Sequence, residues 1–291
     1  MQKHFEDQIR QIENILDTHL PSADTMPSSL HAAMRYSVFA GGKRLRPLLC
    51  LAAAKAAGGD EASALLPAAA LEILHTYTLI HDDLPGMDND TMRRGKPTLH
   101  VVYGETIAIL AGDALLTMAF EWLAETVAPP PYHPNQLSLE LAQAAGSRGV
   151  IAGQTEDIAA ERQPPDPARL EFIHKHKTGD LIRAAVRMGA IAAGASADTL
   201  KALTAYGEHI GLAFQIVDDL LNTTADAGQL GKAVGSDAQR GKMTWVSVHG
   251  PEAAKQTANS LAAAAKCDLD GLPGDTTRLR ELAHMMIERK K

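Results

Sequence analysis

Aromatic residues are scarce in this chain of 291 residues, at 4%, and runs of β-branched residues long enough to build a sheet are missing. Helix-favouring Ala, Leu and Glu dominate instead, which predicts an all-α protein. Cysteine is nearly absent, with only Cys50 and Cys267. Two cysteines make no disulfide framework, and Cys50 lies in the apolar run Leu48 to Ala54, where it reads as a small buried hydrophobe. A reducing, cytoplasmic setting is expected. An excess of positive charge is also lacking. Lys and Arg number 28 against 35 Asp and Glu, a formal net charge of −7, which argues against a general nucleic-acid binder but leaves room for a local anion site. No run of 18 apolar residues occurs, and the first twenty residues lack a signal peptide's apolar stretch, so neither a membrane span nor a secretory leader is expected.

Pro and Gly punctuate what remains. They place helices at roughly 3–20, 28–40, 44–57, 61–83, 104–127, 136–162, 167–194, 198–222, 251–266 and 275–289. The stretch 223–250 has several glycines and no clear period, and reads as a long ordered loop. Ala62 to Ile80 is apolar nearly all round, the mark of a helix inside a bundle.

Two acidic clusters carry the chemistry. In the first, Asp82, Asp83, Asp88 and Asp90 follow the strongly apolar run Ile73 to Ile80, and Pro85-Gly86 interrupts the helix after the first pair. Carboxylates at a helix C-terminus oppose its dipole unless a cation offsets them. A hard divalent ion such as Mg2+, its shell completed by phosphate, suits such a group. Arg93 and Arg94 follow directly and match the bidentate geometry of diphosphate oxygens. The second cluster is Asp218, Asp219 and Asn222, with Asp218 and Asn222 four apart on one helix face. Two apolar helices, each ending in an acid pair, predict two carboxylate walls facing one cavity. Other features are ambiguous on their own. Taken alone, Gly41 to Pro47 reads first as a capped helix start with exposed charges, and His75 as a satisfied core histidine. Lys177-Thr178-Gly179 interrupts a long helix, which often marks a functional irregularity. Lys232 and Lys242 read as surface lysines.

Together these segments resemble the short-chain trans-prenyl diphosphate synthases, and most closely a bacterial farnesyl diphosphate synthase. Asp82 to Asp88 matches the family's first aspartate-rich motif in its form with two inserted residues, Arg93-Arg94-Gly95 follows at the family spacing, and Gly211 to Asn222 matches the second motif. Also recognisable are Gly41 to Pro47, Ala111-Gly112-Asp113, Gly153-Gln154 with Asp157, His176 to Gly179, Gly231-Lys232 with Gly235 and Asp237, and the terminal Arg289 and Lys291. The resemblance implies one domain over 1–291, a helical bundle around a deep central cavity, a homodimer, Mg2+, and no nucleic acid or stable membrane association. It assigns metal binding to Asp82, Asp88 and Asp218, with Asp83 supporting and Asp219 nearby. It assigns the allylic diphosphate to Arg93, Lys177, Thr178, Gln215 and Lys232, and isopentenyl diphosphate to Lys43, Arg46, His75 and Arg94. Arg289 and Lys291 would help close the site, and Tyr77 with Thr78 would set product length. Three departures stand out: Asn222 replaces a usual Asp, Asn89 follows Asp88 where many relatives have Asp, and Trp245-Val246 replaces Tyr-Pro. A terpene cyclase would need no second diphosphate site, and a non-catalytic partner subunit would usually lose its acid motifs.

Overall fold

The computed structural model describes residues 5–224 and 241–288. The expectation of an all-α protein is borne out, the one small sheet among the described residues being a two-stranded hairpin. The backbone divides into two compact units.

Unit 1 comprises residues 1–48 and 65–127. It contains α1 (Glu6–His19), α2 (Ser28–Val38), the start of α3 (Leu45–Ala56), α4 (Leu65–Asp82), strands β1 (Met92–Arg93) and β2 (Lys96–Pro97), α5 (Leu99–Tyr103) and α6 (Glu105–Ala124). α4 is the core helix. Leu71, Ile73 and Leu74 are fully buried on different sides of it, as its all-round apolar sequence requires. α6 packs along α4 through the small residues Ala108, Ala111, Gly112 and Ala119. Arg94 and Gly95, both at positive φ, turn the hairpin and so place two adjacent arginines beyond the end of α4. By length and composition Glu61–Asp82 and Glu105–Ala124 are apolar enough to cross a membrane, although neither is an uninterrupted apolar run. Two-thirds of the first one's most apolar window is buried within the fold.

Unit 2 comprises residues 49–64 and 128–291. It holds the rest of α3, a 3-10 turn (Glu61–Ala64), α7 (Gln136–Ala145), α8 (Val150–Ala159), α9 (Pro167–Ile173), a π-helical turn (His174–Gly179), α10 (Asp180–Ala192), α11 (Ala197–Thr224), α12 (Trp245–His249), α13 (Pro251–Asp268) and α14 (Thr277–Ile287). Asp166 caps α9, accepting from the Ala168 and Arg169 backbone N–H groups at 3.0 and 3.2 Å, with Pro167 pre-set at the first helical position. α10 is buried along most of its length, and α11 packs against both α10 and α13.

Two expectations need correction. α11 runs on to Thr224, so Asp218 and Asp219 lie inside a helix and not at its end. The expected loop at 223–250 holds a helical turn, α12, because Thr244 and Ser247 form a reciprocal capping box that nucleates it. Residues 225–240 lie outside the described residues.

Candidate active site

In unit 1 the loop after α4 folds back on the helix. The Asp88 backbone N–H donates to the Asp82 carbonyl at 2.8 Å, which brings these two half-buried aspartates together at the helix end. Asp83 is buried and plays a different part. Arg93 grips its carboxylate bidentately, Nε to Oδ2 and Nη2 to Oδ1, both at 2.7 Å. Burial works against the Arg93 charge, but Asp83 and the neighbouring Asp82 and Asp90 outweigh it and hold the guanidinium's proton more tightly than usual. Arg93 is therefore anchored by the second aspartate of the motif.

The four residues assigned to isopentenyl diphosphate assemble around the start of α3. Arg46 Nη1 donates to His75 Nε2 at 3.1 Å. A guanidinium only donates, so His75 Nε2 is the acceptor and the ring proton lies on Nδ1. Burial, with Arg46, Arg94, Arg93 and Arg44 close by, pushes the His75 pKa well below its ordinary value, so the ring is neutral. Arg94 Nη1 donates to the Gly41 carbonyl, and its guanidinium lies where a Cβ on Gly42 would stand, 2.6 Å from Nη1. Gly42 is needed for that approach and for its φ of +133°. Lys43 is exposed on the same turn. The result is a cationic clamp whose members are Lys43, Arg46 and Arg94, with a neutral histidine donor.

Tyr77 is 7% exposed on α4, and its ring packs edge-to-face on His81 with centroids 5.2 Å apart. His81 in turn lies flush on α6: its Nε2 is 3.2 Å from the Ile109 carbonyl, and a Cβ on Gly112 would sit 2.2 Å from that nitrogen. Thr78 spends its hydroxyl on the His75 carbonyl at 2.8 Å.

Unit 2 carries the other set. The π-helical turn bulges Lys177 and Thr178 out of the α9–α10 rod. Lys177 Nζ donates to Asp157 Oδ2 at 2.5 Å, and Lys242 Nζ donates to the same oxygen at 3.1 Å. Burial alone would raise the Asp157 pKa, but the two ammonium groups dominate and hold it below the usual carboxylate range. Thr178 Oγ1 donates to Gln215 Oε1 at 2.9 Å, and Gln215 Nε2 donates to Asp219 Oδ1 at 3.0 Å. Asp219 is buried and also accepts from the Trp245 backbone N–H at 2.7 Å, with His174 Nε2 at 3.2 Å from the same oxygen. The Trp245 ring stacks on His174 at 5.7 Å between centroids. The Trp-Val departure is thus absorbed by a packed cluster. Asp218 is exposed, and Asn222 is half-buried one turn further along α11. Lys232, Gly231, Gly235, Asp237, Arg289 and Lys291 lie outside the described residues.

The polyprenyl synthetase family model matches residues 27–270. The chain belongs to the polyprenyl synthetase family. Geranylgeranyl pyrophosphate synthase 3, chloroplastic, of Arabidopsis thaliana is 45% identical over 271 residues, 90% of this chain and 75% of the relative. Among solved structures, the geranylgeranyl pyrophosphate synthetase of Pyrococcus horikoshii Ot3 matches with a TM-score of 0.90 at 31% identity, covering 99% and 98% of the two chains. A geranyltransferase of Helicobacter pylori, solved with magnesium and isoprenyl diphosphate, matches with a TM-score of 0.82 at 35% identity, covering 98% and 95%. The protein is a trans-prenyltransferase of isoprenoid biosynthesis that elongates prenyl chains. Sequence reasoning gave this synthase's Asp157 no role and missed His174 entirely. Gly153 and Asp157, one turn apart on α8, were the available signal: a small residue and an acid on one face facing a lysine.

Proposed function

We propose that the synthase condenses isopentenyl diphosphate with dimethylallyl and then geranyl diphosphate, releasing farnesyl diphosphate, as a Mg2+-dependent cytoplasmic homodimer. The fifteen-carbon product rests on Tyr77. It lies five residues before Asp82, about 7.5 Å deeper along α4 at 1.5 Å per residue. A buried ring at that depth, braced by His81, can stop a growing hydrocarbon tail. The A. thaliana relative supports a second reading, a twenty-carbon product.

The donor set fits Mg2+. Asp82 and Asp88 offer hard oxygens at the end of α4, and Asp218 with Asn222 offers more on α11. Among the described residues no group of three or more His, Cys, Asp or Glu side chains is preassembled for a metal, so substrate phosphate would complete the shell. When bound, the ion supplies charge that stabilises the departing diphosphate. The chain's own residues do the rest. Lys43, Arg46 and Arg94, with the Nδ1–H of His75, bind and orient isopentenyl diphosphate. Arg93, Lys177, Thr178, Gln215 and Lys232 receive the allylic diphosphate. Its carbon–oxygen bond breaks with the electron pair leaving on diphosphate. The isopentenyl double bond attacks the allylic cation, and a proton passes from the adduct to the released diphosphate. No protein nucleophile takes part. The homodimer is supported by apolar residues left exposed on α5 and α6, namely Val101, Val102, Ile109 and Leu110. The cytoplasmic placing is supported by the two unpaired thiols.

The test is chromatography of products from the purified chain with dimethylallyl diphosphate, isopentenyl diphosphate and Mg2+. Wild type should stop at fifteen carbons, and Tyr77→Ala should run to twenty or more while the first condensation continues. A wild-type product of twenty carbons, or a Tyr77→Ala variant of unchanged product length at full turnover, would overturn the assignment.

A further inference from the structure

The turn from Gly41 to Pro47 gives Lys43 and Arg46 to the clamp and leaves Arg44 without a part. Arg44 is 2% exposed and sits at a φ of +50°, left-handed backbone that a side-chain-bearing residue adopts only when its surroundings enforce it. The enforcement is visible. Nη1 donates to Glu72 Oε1 at 2.8 Å, Nη2 donates to the Val38 carbonyl at 2.9 Å, and Nη2 lies 3.5 Å from Glu13 Oε1. Arg44 Nε is buried without a hydrogen-bond partner. Glu72 is 2% exposed on α4, three residues and about one turn before His75. α4 therefore grips the 43–46 segment at two successive points: Glu72 holds Arg44, and His75 meets Arg46.

We propose that Arg44 and Glu72 form a positioning pair for the isopentenyl diphosphate clamp, fixing the left-handed turn that aims Lys43 and Arg46 without touching substrate themselves. A buried ion pair is a poor device for stability, since apolar residues of similar size often replace one at no loss. Setting the register of neighbouring groups is its better-attested use. Here the neighbours are cations one and two positions from Arg44, and misplacing such groups by about 1 Å is enough to cost a hundredfold in function. Glu72 also faces Arg94, whose charge it supports against burial and the repulsion of Arg44 and Arg93.

The inference rests on the clamp assignment made above, and the experiment separates the two. The double variant Arg44→Met/Glu72→Leu removes one charge of each sign, so Arg94 loses the support of Glu72 together with the repulsion of Arg44 and the net charge of the cluster is unchanged. Steady-state kinetics with both substrates varied should show KM for isopentenyl diphosphate raised at least about tenfold, KM for the allylic substrate within about twofold, and normal helical content by circular dichroism. Arg44→Lys keeps the charge but cannot bond Glu72 and Val38 together, and should show a smaller rise in the same KM. A folded double variant with wild-type KM for isopentenyl diphosphate, or with both KM values raised alike, overturns the proposal. Should the double variant not fold, Arg44→Lys decides on the same ratio. Arg46→Ala is measured alongside. If it fails to raise KM for isopentenyl diphosphate by roughly 10-fold or more, the clamp assignment falls and the positioning role with it. A defective Arg46→Ala beside a normal double variant removes the positioning role alone.

Discussion

Gly153→Ala should damage the allylic site from a distance. Gly153 lies in the middle of α8, where alanine would ordinarily gain close to 1 kcal/mol in helix propensity. Packing reverses that sign. A Cβ on Gly153 would stand 2.1 Å from the Lys177 backbone nitrogen, 2.6 Å from its Cα and 2.7 Å from the His176 carbonyl carbon. These are backbone atoms of the π-helical turn, so no rotamer relieves the clash. Ordinary contact needs about 3.4 Å, and α8 and the turn must separate by about 1 Å. Overpacking of this kind costs about 1–3 kcal/mol, so the variant should fold with a modestly lower melting temperature. The larger effect is on Lys177, whose ammonium is tied to Asp157 four residues along the same helix face. A shift of about 1 Å in a substrate-binding cation costs on the order of 100-fold in kcat/KM. Two-substrate kinetics should show that loss for the allylic substrate, with KM for isopentenyl diphosphate nearly unchanged, and Lys177→Ala should match its pattern. A Gly153→Ala enzyme with kcat/KM for the allylic substrate within threefold of wild type would refute the reasoning.

Asp82→Ala and Asp218→Ala should each lower kcat by orders of magnitude with helical content intact, because the interaction each loses grows as the leaving group gains charge; near-normal turnover in either rejects the metal assignment. Asn222→Asp adds a carboxylate beside Asp218 and should lower the Mg2+ concentration for half-maximal rate, whereas an unchanged or raised requirement places position 222 away from the ion. His75 gives a pH signature. Its pKa is depressed in the fold, so between the folded value and about 6.5 the unfolded chain binds the extra proton. Its contribution to stability is complete above about pH 6.5 and is lost as pH falls through that window, with a slope no steeper than about 1.4 kcal/mol per pH unit. Thermal melts from pH 7 to pH 5 should fall further for wild type than for His75→Asn, and parallel curves would contradict a neutral ring.

The helices were legible because their signals are local. Apolar residues on every side of α4 announced a core helix, and Pro85-Gly86 announced its end. Lys177-Thr178-Gly179 was legible as an irregularity, though not as a π-helical turn, since the extra residue becomes visible only once α8 packs against it. α12 was missed because five residues carry no period. Its signal was the pair Thr244 and Ser247, a weaker variant of the usual capping pattern. The residue types of the isopentenyl clamp were legible, but its frame was not. Glu72 and Arg44 are 28 positions apart, and nothing in either neighbourhood says that a glutamate inside an apolar helix has a buried guanidinium as its partner. Asp157 was legible as part of a motif, but its role was hidden for the same reason: its lysines lie 20 and 85 residues away.

The two acid pairs, one in each unit, divide their work alike. In the first, Asp83 is buried and bonded twice to Arg93, while Asp82 is the more exposed member. In the second, Asp219 is buried among Gln215, His174 and the Trp245 backbone, while Asp218 is exposed. A carboxylate held by two or three donors has its lone pairs directed into the protein. It fixes neighbouring polar side chains: Arg93 in unit 1, and Gln215 with its partner Thr178 in unit 2. The doubled aspartate is thus two instruments placed one residue apart on a helix, where successive side chains diverge by about 100°. One points toward the frame, and the other points away from it, where a hard cation and phosphate oxygens can be met. A pair of identical residues in sequence acquires unlike roles because helical geometry gives them unlike surroundings.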